Sequence, residues 1–239
     1  MPVRFDGQGW VVVGGAEGIG REVVLLAARR GATVLCSGRS GSEAAAADLL
    51  AAARQAGVAE RLLFVAADPA SPEEVERLFD RAGEQFFALH VLVFNGADGP
   101  VLADRPLAET SLAEWNQNLA VHLRGPFLVV QRALQEFLAG GEGGRIVYLI
   151  PAGTEGLGQA VVGSALRSLV RSVAKEYGRR GIACNAVLVP DEPAQAVAET
   201  VLFLASAEAS FVNGEVLNLE RRKRDDQRQT GDSQAGGGA

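Results

Sequence analysis

The residues with the clearest chemical meaning form a glycine-rich turn near the N-terminus. Gly14, Gly18 and Gly20 follow an apolar run at residues 10–13 and come directly before a helical pattern. The first glycine permits a tight turn, the second lets backbone amides approach a diphosphate, and the third lets the helix pack closely on the strand. This spacing predicts a phosphate-binding helix N-terminus. Glycines that serve the turn alone, without a ligand, would give the same pattern.

Tyrosines and lysines are few in this chain. There are two tyrosines, Tyr148 and Tyr177, and two lysines, Lys175 and Lys223. Neither tyrosine stands four residues before a lysine, the spacing that places a phenol and an ammonium on one helix face. The two cysteines are too few for a disulfide scaffold or a zinc site.

The composition is that of one soluble domain. The chain has 239 residues, of which 48% are hydrophobic and 22% charged, and its net charge is −6. This balance excludes a disordered or fibrous chain and gives no broad basic surface for nucleic acid. No apolar run approaches the length of a membrane span, and residues 1–8 form no apolar signal segment. We expect a cytoplasmic protein without nucleic-acid or membrane partners.

Short apolar runs, typical of strands buried on both faces, alternate with longer helical patterns. The predicted strands are residues 10–13, 33–36, 62–66, 91–94, 145–149, 183–187 and 216–219. The predicted helices are residues 18–30, 42–55, 71–86, 111–138, 160–179 and 194–204. This alternation predicts an α/β fold, a doubly wound seven-stranded parallel sheet with helices on both faces, in a single domain at residues 1–220. Residues 221–239 lack apolar periodicity and predict a disordered, charged and glycine-rich tail.

Four segments of the sequence follow one another in an order that is typical of one enzyme family. They are GGAEGIG at the glycine turn, FNGAD after the fourth strand, GGRIVYLI in the fifth strand and VLFLASAEASFVNGEVLNLE near the end. In this order the chain resembles the short-chain dehydrogenase/reductase family, close to its 3-oxoacyl-thioester reductase branch. The resemblance implies a Rossmann-like fold and hydride transfer between a nicotinamide and a carbonyl or alcohol.

The resemblance also implies a set of catalytic residues, and this chain departs from it at each position. The family's tyrosine protonates the carbonyl oxygen, its lysine lowers the tyrosine pKa and holds the nicotinamide ribose, its serine polarises the carbonyl, and its asparagine anchors a proton relay. The matching positions hold Gln159, Gly163, Pro151 and His122, respectively. We therefore predict that the chain has no catalytic residues. The alternative is an oxidoreductase with rewired chemistry that uses His122, because an imidazole titrates near neutral pH.

The segment that covers the substrate in the family is nearly absent from this chain. The sixth strand is followed almost directly by the next helix, with little more than residues 189–193 between them. A site without a cover does not exclude water or orient a substrate in the usual way. The short segment is a second, independent sign of lost catalysis.

The sequence signals for a dinucleotide are divided. In the family, the position of Arg39 contacts the 2′-phosphate of NADP, and the position of Asp68 contacts the adenine. Glu17 and Asp98 place carboxylates near the phosphates, and the lysine that binds the ribose is missing. Whether NAD(P) binds this chain is left open, and a dinucleotide-binding regulator without catalysis is a further alternative. The positions that match the family's cofactor contacts are Gly14, Gly18, Ile19, Gly20, Arg39, Asp68, Asn95 and Ala97.

Apolar stripes remain on the segments with which family members contact one another. These are the helices around residues 115–138 and 160–179 and the segment 194–219. Core packing alone is the simpler interpretation of these stripes. Our hypothesis is a catalytically inactive subunit that forms a heterodimer or heterotetramer with an active paralogue. The paralogue would carry NAD(P) and act on hydroxyacyl or oxoacyl thioesters.

Overall fold

Seven parallel strands form one sheet in the computed structural model, which describes residues 3–96, 106–151, 157–189 and 194–219. The strands are β1 (Gly9–Val13), β2 (Thr33–Gly38), β3 (Leu62–Ala66), β4 (Leu89–Asn95), β5 (Gly144–Pro151), β6 (Ile182–Val189) and β7 (Val216–Asn218). They lie in the order β3-β2-β1-β4-β5-β6-β7. The order reverses between β1 and β4, and sheets of this kind bind ligands at the carboxyl ends of the strands at that point. The predicted doubly wound parallel sheet is confirmed.

Helices pack on both faces of the sheet. They are α1 (Gly18–Arg29), α2 (Glu43–Gln55), α3 (Pro72–Gln85), α4 (Leu112–Leu119), α5 (Gly125–Gly140), α6 (Leu157–Tyr177) and α7 (Ala194–Ala205). Short 3₁₀ turns lie at Ala59–Arg61, Leu107–Glu109, Gly178–Arg180 and Ala207–Ala209. One buried apolar cluster joins α1, α2 and α7 to the sheet, and a second joins α3, α5 and α6 to its other face. The two clusters hold the strands in place, and with them the carboxyl ends at which sheets of this kind bind ligands.

Two helices begin at the capping signals that the sequence contains. Ser71 accepts a hydrogen bond from the backbone N–H of Glu74 at 3.3 Å, and Pro72 takes the first helical position of α3. Ser111 and Glu114 form a reciprocal capping box at α4, in which Ser111 Oγ accepts from the Glu114 N–H at 3.2 Å. These contacts satisfy amides that a helix leaves without internal partners at its start.

The long helix predicted at residues 111–138 is divided by a π-helical turn, Ala120–Arg124. Gly125 donates its N–H to the carbonyl of Ala120, five residues earlier, whereas an α-helix uses a spacing of four. The interruption follows from Pro126, which has no N–H to offer to the carbonyl of His122. His122 lies inside this wider turn and is buried.

Several parts of the sequence prediction lie outside the described residues. They are Ala97, Asp98 and the tail at residues 221–239. The connection that the sequence marks as shortened runs from Val189, the last residue of β6, to Ala194, the first residue of α7. Within the described part of the chain, no helix combines the length and apolar character needed to cross a membrane.

Candidate functional site

The glycine turn has the geometry that its spacing predicts. Gly14 and Gly18 have φ angles of +73° and +52°, a region that side chains with a Cβ rarely adopt. A Cβ on Gly20 would lie 1.9 Å from the carbonyl oxygen of Gly14, so the turn and α1 approach too closely for a side chain. Asn95 Nδ2 donates a hydrogen bond to the same carbonyl at 3.0 Å. The end of β4 therefore holds the turn that follows β1.

The start of α1 faces the crevice without an acidic cap. Glu17 precedes the helix, makes no side-chain hydrogen bond to its amides, and is exposed. The first turn contains no acidic residue. Unpartnered amides and the helix dipole favour an anion at this position. Solvent screens the exposed Glu17 carboxylate, so its opposition to an anion is weaker than the sequence alone suggests.

A groove of about 360 Å³ opens beside the glycine turn at the ends of β1, β2 and β4. Ser37 lies in its wall and is 1% exposed, and its Oγ has no hydrogen-bond partner among the described residues. Arg39 is half-buried and is the one charged residue in the described lining. The lining residues are Val13, Gly14, Ser37, Gly38, Arg39, Ala67, Pro69, Phe94, Asn95, Gly96 and Val121.

The predicted cofactor positions divide into three groups in the structure. Gly14, Arg39 and Asn95 line the groove, while Gly18, Ile19 and Gly20 form the start of α1. Asp68 does not line the groove. Its Oδ1 accepts from the N–H of Ala70 at 2.9 Å, and its own N–H donates to Glu74 at 2.7 Å, so its observed contacts hold the loop before α3.

A second hollow, of about 470 Å³, adjoins the groove, since Phe94 and Gly96 line both. It brings together three of the four positions that resemble catalytic ones: His122, Pro151 and Gly163. Gln159 stands in the first turn of α6, four residues before Gly163. The lining residues are Phe94, Gly96, Asn118, His122, Leu149, Ile150, Pro151, Gly158, Val162, Gly163 and Leu166. We call this hollow the apolar pocket.

His122 is the one titratable group in the described lining of the apolar pocket. Its side chain is 8% exposed, and Nδ1 lies 3.2 Å from the carbonyl oxygen of Gly96. A carbonyl oxygen can only accept a hydrogen bond, so this contact is a hydrogen bond when Nδ1 carries a proton. Asn118, one turn earlier and 2% exposed, is a second polar group here that sequence reasoning missed. The sequence signal that could have identified Asn118 is its position four residues before His122, a spacing that places two residues on one helix face.

Space is left where a catalytic side chain would enter the apolar pocket. A Cβ built on Gly163 meets no atom closer than Ile150 Cγ2, at 4.0 Å. Tyr177 is fourteen residues further along α6, about 21 Å away at the rise of an α-helix. Tyr148 is fully buried in the core, and this burial raises its pKa well above the ordinary value. Neither tyrosine is placed to protonate a ligand in this pocket.

Comparison with known proteins links these features to one family. Residues 14–190 match the family described as enoyl-(acyl carrier protein) reductase. The chain is 34% identical over 241 residues to cis-4-hydroxycyclohexanecarboxylate dehydrogenase of Sinomonas cyclohexanicum, covering 88% of this chain and 94% of that protein. It belongs to the short-chain dehydrogenase/reductase family. A 3-oxoacyl-[acyl-carrier-protein] reductase of Aquifex aeolicus is 28% identical over 254 residues, covering 92% of this chain and 98% of the other.

A solved structure of a short-chain dehydrogenase/reductase relative shares the architecture. The crystal structure of a dehydrogenase/reductase from Sinorhizobium meliloti 1021 has a TM-score of 0.79 and 25% identity, covering 90% of this chain and 94% of that one. The family is one of oxidoreductases, and its members generally bind NAD(P). The groove and the apolar pocket can therefore be compared with the two halves of such a cofactor.

The described residues fit one half of a dinucleotide and not the other. At the adenosine diphosphate half, the described residues provide the glycine turn and the start of α1, which none of their side chains caps. They also provide the buried Ser37 hydroxyl and the Arg39 guanidinium, neither of which has a partner among the described residues. At the nicotinamide half, the described lining of the apolar pocket offers two polar side chains, Asn118 and His122, among apolar ones. When a dinucleotide is bound in this family, its nicotinamide supplies or accepts the hydride.

Proposed function

We propose that this short-chain dehydrogenase/reductase is catalytically inactive and assembles with an active, NAD(P)-dependent paralogue that acts on hydroxyacyl or oxoacyl thioesters. One observation carries the proposal. The positions of His122, Pro151 and Gly163 meet in one pocket, and no described side chain there offers a phenol, a hydroxyl or an ammonium.

The missing groups are those on which carbonyl reduction depends. A positioned general acid contributes about 10²- to 10⁴-fold to the rate of such a reaction. A donor that stabilises the developing oxyanion contributes about 10²- to 10³-fold more. Pro151 has no donor of either kind, and Gly163 has no side chain. A pocket without the phenol and the hydroxyl lacks the contributions that these two groups make to the rate.

Two exposed apolar surfaces support a role in assembly. The first is a broad hollow between α4–α5 and α6, whose wall includes Leu123, Phe127 and Leu169. Phe127 remains 48% exposed there. The second lies at α7 and the turn after it, where Phe203 is 41% and Phe211 81% exposed. Apolar surface of this kind is stabilised when a partner covers it.

The decisive experiment compares the isolated chain with the chain produced together with a family member from the same genome that carries the complete serine, tyrosine and lysine set. We expect the isolated chain to consume no NADPH with an oxoacyl thioester, because its pocket lacks the proton donor. We expect the two chains to co-purify, and the pair to reduce the thioester. Steady turnover by the isolated chain would overturn the proposal.

The alternative of a rewired oxidoreductase rests on His122, the one titratable side chain in the described lining of the apolar pocket. The same assay separates it from the inactive subunit. Turnover by the isolated chain that disappears in His122→Ala would favour rewired chemistry. Turnover that persists in this variant would reject both interpretations.

The assembly surface is tested by a charge placed on the hollow between α5 and α6. Phe127→Glu would bury a carboxylate against Leu123 and Leu169 in a complex, and we expect partner affinity to fall at least about ten-fold. Phe87→Glu is the matched control, since Phe87 is fully exposed and precedes the amino end of β4. Co-elution during size-exclusion chromatography measures the effect. Equal binding by both variants would show that the partner does not use this surface.

A further inference from the structure

We infer that Asn213 and Gly214, in the loop between the turn Ala207–Ala209 and β7, form a deamidation site whose reaction is controlled by the fold. While the loop is bonded to β6, the asparagine persists. When these bonds open, Asn213 is converted to aspartate or isoaspartate. This goes beyond the proposed function, because it concerns a covalent change of the chain itself and needs neither a nucleotide nor a partner.

The reaction uses only the two residues and water. The backbone nitrogen of Gly214 attacks the side-chain carbonyl carbon of Asn213 and loses its proton, and the side-chain amide leaves as ammonia. Water then opens the cyclic imide at either of its carbonyl carbons, which yields aspartate or isoaspartate. A glycine after the asparagine favours the attack, because a residue without a Cβ leaves its own nitrogen accessible.

Both reacting groups are held by the backbone of one residue of β6. Asn213 Oδ1 accepts a hydrogen bond from the Cys184 N–H at 2.9 Å, and the Gly214 N–H donates to the Cys184 carbonyl at 2.9 Å. Asn213 Nδ2 donates to the carbonyl of Ala174, in the last turn of α6, at 3.3 Å. The attack requires the Gly214 nitrogen to lose its proton and the carboxamide to turn, so all three bonds oppose it.

Asn185, the next residue of β6, holds the loop on both sides of the reacting pair. Its Oδ1 accepts from the Glu215 N–H at 3.0 Å, and its Nδ2 donates to the Val212 carbonyl at 3.0 Å. Asn185 is 1% exposed, so water does not compete for these bonds. The pair therefore reaches its reactive conformation only when this corner of the fold opens locally.

The fold requires each residue of the pair for a separate reason. Gly214 has a φ of +86°, which favours glycine, and a Cβ there would lie 3.3 Å from the Cβ of Ala174. Position 213 needs one group that accepts from Cys184 and donates to Ala174, and a carboxamide does both. Gly178 leaves room for it, since a Cβ there would lie 2.7 Å from Asn213 Nδ2. The reactive pair follows from the contacts that close the loop.

The reaction removes one of the contacts that delay it. A carboxylate has no proton to donate, so aspartate at position 213 places a negative charge against the Ala174 carbonyl. Isoaspartate adds a methylene to the backbone before Gly214 and shifts the start of β7 relative to β6. A transient opening of the loop is converted in this way into a permanent loss of stability.

Peptide mapping by mass spectrometry, during incubation of the purified full chain, tests the site. The other asparagine–glycine pair of the chain, Asn95 and Gly96, is the reference in the same sample. In urea we expect both pairs to be converted at similar rates. In the folded chain we expect Asn213 to react at least about ten-fold more slowly than in urea. Equal rates at Asn213 in the two conditions, or no conversion of Asn213 in urea, would overturn the inference.

A variant that weakens the loop makes the test specific. Asn185→Ala removes the bonds to Val212 and Glu215 and leaves the reacting pair intact. We expect it to convert Asn213 at least about ten-fold faster than the natural chain and to leave the rate at Asn95 unchanged. Equal acceleration at both sites in a folded variant would reject control by this loop. If the variant does not fold, the natural chain with and without urea decides alone.

Asn213→Asp reproduces one product and tests its consequence. We expect its urea unfolding midpoint to lie below that of the natural chain, because no donor faces the Ala174 carbonyl. Asn116→Asp makes the same charge change at an exposed position of α4 and should leave the midpoint unchanged. An unchanged midpoint in Asn213→Asp, or equal losses in both variants, would reject the predicted damage. These measurements use neither turnover nor a partner, so failure of co-purification leaves their outcome unaffected.

Discussion

The combined variant His122→Asn, Pro151→Ser, Gln159→Tyr and Gly163→Lys is expected to gain the carbonyl reduction that the natural chain lacks. Three of these positions already surround the apolar pocket, and position 163 has open space for a side chain. The variant regains a general acid and an oxyanion donor, which together correspond to a gain of at least about 10⁴-fold. NADPH consumption with an oxoacyl thioester measures the gain.

The control for this gain is the same variant with Gln159 left in place. It keeps the polarising hydroxyl and the new cation but lacks the phenol that delivers the proton, so we expect it to stay near background. Equal rates in the two variants would show that position 159 is not the site of the acid. If the natural chain consumed NADPH as fast as the full variant, the hypothesis that it is catalytically inactive would be refuted.

Two glycine substitutions are expected to change stability in opposite directions. Gly20→Ala places a Cβ 1.9 Å from the Gly14 carbonyl oxygen, where backbone must move, and should lower the free energy of unfolding by about 2–4 kcal/mol. Gly83→Ala lies on exposed α3 with no atom within 4 Å of the new Cβ, and should raise it by about 0.5–1 kcal/mol. Urea denaturation monitored by circular dichroism measures both changes.

The Gly83 variant measures how an exposed helical alanine changes the free energy of unfolding. The Gly20 variant measures the same change where the helix and the turn are in close contact. A Gly20→Ala protein as stable as the natural one would mean that the close approach of α1 to the turn relaxes freely. The glycine turn would then be less rigid than the structure implies.

The sheet and helices were predictable because their signals are local. Apolar runs, Ser71 with Pro72, and the Ser111 capping box each act within a few residues of their own position. The glycine turn was predictable for the same reason, since its three glycines must stand at fixed spacing. The division of the helix at Ala120–Arg124 was not predicted, although Pro126 causes it, because the apolar periodicity continues across the turn.

The candidate site was predictable only in part, because its lining comes from distant segments. Ser37 belongs to no motif, and its meaning appears only when packing leaves its hydroxyl buried without a partner among the described residues. Asp68 matched a family adenine contact, yet its observed hydrogen bonds are to the backbone of Ala70 and to Glu74 through its own amide. Such distinctions depend on tertiary contacts, which a single sequence does not specify.

The bond between His122 and Gly96 gives the protein an internal spectroscopic reporter. Gly96 lies in the wall shared by the groove and the apolar pocket, so a ligand in either hollow would change the surroundings of the peptide that the imidazole contacts. The chain has one other histidine, His90, which accepts from the Gly9 N–H near the amino end of β4. Two imidazole resonances, one at each end of the same strand, thus provide a signal and its reference within a single NMR spectrum.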